Sequence, residues 1–232
     1  MASIYEDGSY IAANPTLDAE AGPFKAGETL TILRRNSLSP RRICEIGCGS
    51  GAVIAALCEQ LPEAEGEGFD ISPHAIALAR KFETERVRFF QADALKDPRR
   101  YDLALMHDVF EHVEDYLGFL RQARGKAEWF AFHIPLEISV LSVLRPHVFD
   151  LTRQAVGHLH IFNKTTALAT LRQAGYEVID FHFTPGALAV GPATWRKTLA
   201  NIPRRVIGAV SPQTAAQWLG GFSLMALARP AG

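Results

Sequence analysis

The chain has little cysteine and no excess of charge of either sign. Its three cysteines, Cys44, Cys48 and Cys58, form no Cys-x-x-Cys pair in 232 residues. An odd count without paired spacing fits neither a disulfide framework nor a zinc site, which predicts reduced thiols. Lys and Arg total 24 against 25 Asp and Glu. No global basic field therefore draws the chain to nucleic acid or to anionic lipid.

Long apolar runs are also absent. The stretch 134–144 is interrupted by Pro135, Glu137 and two serines, whereas a membrane-spanning helix needs roughly 20 apolar residues. The beginning of the chain, residues 1–7, shows neither the basic nor the apolar region of a secretory signal. We therefore expect a cytoplasmic protein without a membrane partner, either a monomer or a homodimer.

From residue 41 onward, short β-type runs alternate with helical patterns, which is typical of βαβ units and a parallel sheet. The length and the 48% hydrophobic content predict one domain, 1–232, with a single substantial core. The predicted strands are Arg42–Ile46, Glu65–Asp70, Val87–Gln91, Tyr101–Met106, Trp129–Ile134, Tyr176–Phe183 and Gly221–Ala228.

Three segments fall outside this alternation. Residues 1–40 precede the first strand, and Tyr5, Tyr10, Phe24 and Lys25 within them suggest a lid. The connections 135–162 and 184–220 exceed the usual loop length. We predict that both contain helices and cover the functional edge of the sheet, where loops carry binding residues.

A glycine-rich loop lies where the first strand becomes a helix. Gly47, Gly49 and Gly51 allow a tight turn and let a ligand approach the main chain. Asp70 closes the second strand, about 20 residues later, where a carboxylate can accept hydrogen bonds from both ribose hydroxyls. These features predict a nucleoside cofactor but suit a nicotinamide dinucleotide as well as S-adenosylmethionine.

Glu45, two residues before the first glycine, separates the two cofactors. A dinucleotide brings a pyrophosphate to this loop, which a carboxylate would repel. S-adenosylmethionine brings an ammonium and a sulfonium, which a carboxylate attracts. The charge of Glu45 therefore favours S-adenosylmethionine.

Four segments in this order resemble the motifs of class I S-adenosylmethionine methyltransferases: 45–51, 68–72, 91–94 and 111–115. The resemblance implies a Rossmann-like, doubly wound α/β sheet of seven strands with helices on both faces and an antiparallel last strand. It also implies which residues hold the cofactor. Glu45 contacts the methionine part, Asp70 the ribose and Asp93 the adenine amino group, Ile71 and Ala94 flank the adenine, and His107 lies beside the cofactor.

Two further residues belong to the predicted cofactor site. Cys48 lies inside the loop, where we assign it no chemistry, and Lys25 is placed to pair with the methionine carboxylate. For Asp93, a turn-initiating role is the alternative interpretation.

Methyl transfer needs a base only if the acceptor must lose a proton, and histidine has a suitable pKa. His107, His112 and His133 follow or end strands at the carboxyl edge of the sheet, where ligands bind. They are the candidate catalytic residues, although pocket shaping, helix capping and core hydrogen bonding are alternatives. On a strand, His158 and His160 would share one face and, with Phe162, are candidates to contact a substrate, although a His-x-His pair without further ligands is usually not a metal site.

We expect no metal. The segment 108–112 resembles the Glu-x-x-Glu-His segment that ubiquinone-biosynthetic O-methyltransferases use with a divalent metal, but Asp108 replaces the first glutamate and has a shorter reach. The predicted function is methyl transfer to oxygen or nitrogen of a small molecule. An NAD(P)-dependent oxidoreductase and a non-catalytic S-adenosylmethionine-binding protein are the alternatives. A nucleic-acid acceptor is disfavoured because Arg99-Arg100 and Arg204-Arg205 are isolated basic pairs.

Overall fold

The computed structural model describes residues 16–186 and 195–232, and for 195–200 it describes the backbone alone. The sheet has seven strands in the order β3-β2-β1-β4-β5-β7-β6. β1 to β5 run parallel, and β7 lies antiparallel between β5 and β6. The strands are β1 Arg42–Ile46, β2 Glu65–Asp70, β3 Val87–Gln91, β4 Tyr101–His107, β5 Ala127–Leu136, β6 Tyr176–Thr184 and β7 Phe222–Pro230.

Nine α-helices accompany the sheet in the described ranges. They are α1 Gly22–Arg35, α2 Ala52–Gln60, α3 Pro73–Ala79, α4 Tyr116–Ala123, α5 Val140–Val143, α6 His147–Val156, α7 Lys164–Gln173, α8 Trp195–Val210 and α9 Pro212–Leu219. Short 3₁₀ turns precede α1 and follow β3 and β4. No helix in these ranges has the length and apolar character needed to cross a bilayer.

Helices cover both faces of the sheet, and a separate core lies under each face. On one face, α1, α2 and α3 pack against side chains such as Ile43 and Leu105. On the other, α4, α7 and α9 pack against Phe130 and Phe132, which stack at 5.9 Å between ring centroids. The predicted seven-stranded, doubly wound fold with an antiparallel last strand is confirmed.

Local chemistry explains several element boundaries. Ser72 caps α3 by accepting a hydrogen bond from the Ala75 amide, with Pro73 in the first turn. Gly175, with φ of 90°, follows α7 in the left-handed conformation that ends helices. The predicted strands match at β1, β2 and β3, whereas β4 to β7 differ by one or two residues at an end.

The segments outside the βα alternation are partly helical, as expected. The connection 135–162 contains α5 and α6, and 184–220 contains α8 and α9. In the N-terminal segment, residues 22–35 form a helix whose inner face is buried in the core, so this part is a sheet-covering layer. Tyr5 and Tyr10 of the predicted lid, and residues 187–194 of the second connection, lie outside the described residues.

Candidate functional site

The glycine loop joins β1 to α2, and its three glycines have different roles. All three adopt positive φ, at 71° for Gly47, 52° for Gly49 and 76° for Gly51. A Cβ on Gly51 would lie 2.5 Å from the Phe89 ring, so this glycine allows helix and sheet to pack closely. A Cβ on Gly49 would meet only Leu17, at 3.9 Å, among the described residues. Gly49 is therefore the position where a ligand can approach the main chain.

Asp70 ends β2 and ties it to the glycine loop. Its Oδ2 accepts a hydrogen bond from the Gly49 amide at 3.0 Å, and its Oδ1 accepts one from the Ser72 amide at 2.8 Å. Burial raises the pKa of Asp70, although these hydrogen bonds oppose the shift. Ile71 beside it is 67% exposed, which leaves an apolar surface next to an acceptor carboxylate. This pairing suits a ribose and its attached base.

Glu45 is buried beneath the loop between two elements. Its Oε1 lies 3.0 Å from His107 Nδ1, and its Oε2 accepts a hydrogen bond from the Ile54 amide at 3.2 Å. The other ring nitrogen of His107, Nε2, lies 3.0 Å from Thr29 Oγ1 of α1. Burial lowers the pKa of His107, although its hydrogen bond to Glu45 opposes the shift. Both ring nitrogens of His107 are therefore engaged, and the ring positions the carboxylate.

A second network surrounds Asp108, which follows β4 at a φ of 55°. Lys25 Nζ lies 2.7 Å from its Oδ2, and His133 Nδ1 lies 2.7 Å from its Oδ1. His133 Nε2 is 3.0 Å from Thr184 Oγ1. Burial opposes ionisation of Asp108, but the charges of His133 and Lys25 outweigh it and hold the carboxyl pKa well below its usual value. The structure thus pairs Lys25 with Asp108, and both ring nitrogens of His133 are engaged.

A third cluster lies beyond the carboxyl end of β4. His112 and His158 stand with ring centroids 4.7 Å apart, and His158 Nδ1 is 2.9 Å from Glu137 Oε1. Burial, followed by the charge of His158, lowers the pKa of His112 to about 4, so the ring is neutral near pH 7. Ligand atoms of Glu111, His112 and His158 lie within 4.8 Å of one another, a spacing compatible with one metal ion. The expectation of no metal stays a prediction.

The expected pairing of His158 and His160 on one strand face is wrong. Residues 157–161 form no strand, and 159–160 make a bend. The reason is that the Leu159 and His160 amides both donate to the Glu111 carbonyl, at 2.9 and 3.0 Å. His160 Nε2 then reaches the Val113 carbonyl at 3.0 Å, away from the Glu137 partner of His158.

The remaining predicted cofactor residues lie along the same edge of the sheet. Asp93 Oδ1 accepts a hydrogen bond from the Leu95 amide at 2.9 Å, as expected for a residue that initiates a turn. The side chain of Asp93 is also 38% exposed. Ala94 is buried in the core. Cys48 is buried too, and burial raises the pKa of its thiol well above the usual value, so it is an inert, neutral group.

A cleft of about 470 Å³ opens beside the third cluster. Glu137 and His158 line one side of it, Phe149 of α6 another, and Arg204 of α8 a third. The two long connections thus enclose a mostly apolar cavity with a few polar groups, the usual composition of a small-molecule site.

Three functional neighbours were missed by sequence reasoning: Thr29, Glu137 and Thr184. Thr29 and Thr184 are fully buried partners of His107 and His133. Thr29 had a detectable signal, because it interrupts the apolar stripe formed by Ala26, Leu30 and Leu33 on α1. Glu137 and Thr184 had none, since their partners are distant in the sequence.

Glu111 carries the first testable prediction. It is fully buried, and neither carboxylate oxygen has a hydrogen-bond partner among the described residues. Burial, followed by the charge of Asp108, raises its pKa well above the usual value. As pH rises, the Glu111 carboxyl group ionises in the unfolded chain before it ionises in the folded protein. Between its unfolded and folded pKa values, the wild type therefore loses about 1.4 kcal/mol of stability per pH unit. Glu111→Gln should therefore gain about 1–3 kcal/mol relative to wild type between pH 4.5 and pH 7.

Chemical denaturation at several pH values measures this difference. Glu114→Gln is the matched control, because Glu114 is a neighbouring glutamate exposed to solvent. A Glu111→Gln difference that does not change with pH would show that the carboxylate is ionised in the folded protein.

The fold and the loop together define a Rossmann-like domain that binds a nucleoside cofactor at the carboxyl edge of its sheet. Residues 24–180 match the family model described as "Methyltransferase domain". Because this match spans more than half of the chain, the chain belongs to the methyltransferase-domain family. The expected membership of the class I S-adenosylmethionine-dependent methyltransferases is confirmed.

Curated relatives match over shorter segments. A release factor glutamine methyltransferase of Bacteroides thetaiotaomicron is 34% identical over 94 residues, 37% of this chain and 34% of that protein. A ubiquinone biosynthesis O-methyltransferase of Rhodopseudomonas palustris is 34% identical over 92 residues, 37% of this chain and 35% of that protein. The matches thus span about a third of each relative's length.

Solved structures resemble the whole chain. A putative methyltransferase of Haloferax volcanii, solved with the Trm112 methyltransferase activator, has a TM-score of 0.66 at 16% identity, covering 97% of this chain and 96% of that one. The magnesium protoporphyrin IX methyltransferase of Synechocystis with bound SAH has a TM-score of 0.59 at 15% identity, covering 89% and 83%. At these identities the likeness concerns the fold.

Proposed function

We propose that this chain binds S-adenosylmethionine at the carboxyl ends of β1, β2 and β3 and transfers its methyl group to oxygen or nitrogen of a small molecule. The observation that carries the proposal is that two carboxylates flank the glycine loop, whose Gly49 leaves room for a ligand: Glu45, buried in β1, and Asp70, partly buried at the end of β2. Carboxylates on two sides of the loop suit a cofactor with a ribose at one end and cations at the other.

The residues fit the cofactor along its length. Asp70 keeps lone pairs for the ribose hydroxyls besides its two bonds to backbone amides. Exposed Ile71 and the Asp93-Ala94 turn are placed to border the adenine. Glu45, oriented by His107, is the group for the cationic methionine part. When bound, S-adenosylmethionine supplies an electrophilic methyl group.

Lys25 and the short segment before α1 complete the cofactor site in this proposal. The side chain of Leu17 approaches Gly49, and Gly22 lies so close to Ala52 that an added Cβ would be 2.5 Å from the Ala52 Cβ. The segment 16–21 therefore lies over the glycine loop, where it can exclude water. Alignment and water exclusion are the main contributions that a protein makes to this displacement. Lys25, paired with Asp108, offers its remaining N–H donors to a carboxylate.

The acceptor enters, in this proposal, through the cleft lined by Glu137, His158 and Phe149. His112 is the preferred base, because its ring is neutral near pH 7 and contacts His158, which lines the cleft. His107 and His133 act as positioning residues, since hydrogen-bond partners occupy both nitrogens of each ring.

The other functions have less support. For an NAD(P)-dependent oxidoreductase, Glu45 would face a pyrophosphate. Against a nucleic-acid acceptor, one arginine of each basic pair serves structure: Arg99 pairs with Asp97 and Glu67, and Arg204 donates to the Leu219 carbonyl. Only a measurement of methyl-transfer activity distinguishes the proposed enzyme from a non-catalytic cofactor-binding protein. We also propose that the protein is cytoplasmic and is a monomer or a homodimer.

Calorimetric titration tests the cofactor. We expect saturable binding of S-adenosylmethionine and S-adenosylhomocysteine and none of NAD. Asp70→Ala should weaken both sulfur ligands about 10–150-fold, because each hydrogen bond to a charged group contributes about 1.5–3 kcal/mol. The control is Asp102→Ala, which alters a carboxylate at the opposite, amino end of β4. Binding of NAD alone would overturn the proposal, and turnover in an acceptor screen would exclude the non-catalytic alternative.

A further inference from the structure

The face formed by α5, α6, α8 and α9 exposes much apolar surface. Thirteen large hydrophobic side chains are exposed among the described residues, and nine of them lie at 140–156 and 202–218. They are Val140, Val143, Leu144, Leu151, Ile202, Val206, Ile207, Val210 and Trp218. A concentration of this kind marks an interaction surface, whereas isolated exposed apolar residues are normal.

Helix α8 shows the pattern most clearly. Ile202, Val206 and Val210 are four residues apart, so they share one side of the helix, and they are 51%, 62% and 87% exposed. The opposite side faces the protein. There Arg204 Nη2 donates to the Leu219 carbonyl at 3.0 Å, and Gly208 lies against the Phe222 ring. The helix thus directs an apolar stripe away from the sheet.

The four helices surround one opening. α5 and α8 both pack against α9. Each helix contributes a residue to the cleft wall: Leu141, Phe149, Arg204 and Leu219. The exposed apolar side chains therefore lie on the outer sides of the helices whose inner sides line the cleft that we assign to the acceptor.

The charge of this face indicates what covers it. The described side chains of α8 and α9 include two basic residues, Arg204 and Arg205, and no acidic residue, and Arg205 is the exposed one of the two. Arg205 of α8, Arg145 after α5 and Arg153 of α6 are exposed, and Asp150 is the only acidic residue in 140–156. Apolar side chains with basic neighbours are the pattern of helices that lie in the interface of an anionic bilayer. A second copy would bring the same positive charge against itself.

We propose that this face docks on an anionic lipid bilayer, with the stripe of α8 inserted at the headgroup level. The expectation of no membrane partner depended on the length of a spanning helix and on overall charge, and docking in the membrane plane requires neither. The helices that line the cleft would then contact the bilayer, which brings the cleft close to an amphiphilic acceptor in the lipid. This last consequence rests on the proposed function, whereas the docking does not.

Vesicle flotation of the full chain tests the docking. We expect binding to vesicles of phosphatidylcholine with phosphatidylglycerol, weaker binding to pure phosphatidylcholine, and a loss of binding as salt increases. Val206→Asp combined with Val210→Asp should lower the partition coefficient at least about tenfold, because two charges would enter the interface. Arg153→Glu combined with Arg205→Glu should abolish the preference for phosphatidylglycerol.

Phe82→Asp and Arg88→Glu are the matched controls, since both residues are exposed outside the face. Unchanged calorimetric binding of S-adenosylhomocysteine shows that a variant is folded. If the protein does not bind this ligand, an unchanged thermal unfolding transition shows the same. No vesicle binding, or binding that the aspartate variants leave intact, would overturn the proposal. Self-association in sedimentation velocity that these variants abolish, without vesicle binding, would assign the face to a second copy instead.

Discussion

Gly51→Ala is expected to lower the free energy of unfolding by about 2–5 kcal/mol. The left-handed φ of 76° costs an alanine about 1–2 kcal/mol. The new methyl group would also lie 2.5 Å from two carbons of the Phe89 ring and 2.9 Å from the Ala79 Cβ. Phe89 is buried in the core beneath the sheet, so its ring has little room to move, and overpacking adds about 1–3 kcal/mol.

Two other glycines make this a matched series. Gly27→Ala lies in α1 with nothing within 4 Å of the added Cβ, so it should stabilise the protein by about 0.5–1 kcal/mol. Gly49→Ala combines a φ of 52° with open space, so its cost should be limited to about 1–2 kcal/mol. Denaturant unfolding measures all three under one set of conditions.

Cofactor affinity separates the roles of these glycines further. We expect Gly49→Ala to weaken S-adenosylhomocysteine binding more than tenfold, because its methyl group occupies the space left for the ligand. Gly27→Ala should bind normally. Equal stabilities for Gly51→Ala and Gly49→Ala would mean that the helix does not pack on Phe89 as described, and unchanged affinity in Gly49→Ala would move the ligand away from this glycine.

The sequence revealed the elements that depend on local signals. β1, β2 and β3 were predicted at their observed bounds, because each is followed directly by a turn or helix signal. The glycine loop was equally visible, since its conformation is set by the residues themselves. The number of strands and the antiparallel last strand came from the family resemblance, and the strand order was not predicted, because no local pattern shows which strands are neighbours.

The site beyond the loop depends on pairings between distant positions. Thr29 meets His107 across 78 positions, and Thr184 meets His133 across 51. Lys25 was predicted to pair with the methionine carboxylate, and its pairing with the carboxylate of Asp108 could not be foreseen. The relation of His158 to His112 was obscured because a bend replaced the expected strand. Sequence periodicity carries no information about such contacts.

Glu45→Gln is expected to lower the affinity for S-adenosylmethionine about 10–150-fold while leaving the affinity for adenosine nearly unchanged. The substitution keeps the size of the side chain and an oxygen for the Ile54 amide, but it removes the negative charge. An ionic hydrogen bond contributes about 1.5–3 kcal/mol, which corresponds to this range of affinity. Adenosine has neither the ammonium nor the sulfonium, so it does not sense the charge.

The two carboxylates can be separated by using both ligands. Asp70→Ala should lower the affinities for adenosine and for S-adenosylmethionine by the same factor, because both ligands contain the ribose. Glu45→Ala should destabilise the fold by about 2–4 kcal/mol, since it leaves His107 and the Ile54 amide buried without their partner. Calorimetry with both ligands, together with denaturant unfolding, measures each effect.

The comparison of ligands decides what the buried charge is for. If Glu45→Gln weakens S-adenosylmethionine but spares adenosine, the carboxylate recognises the cationic part, and the argument that separated this cofactor from a dinucleotide holds. If both ligands weaken equally, Glu45 acts by shaping the loop through Ile54 and His107. The preference for a sulfonium cofactor would then have to arise elsewhere, with the Lys25 and Asp108 pair as the next charged group at the same edge.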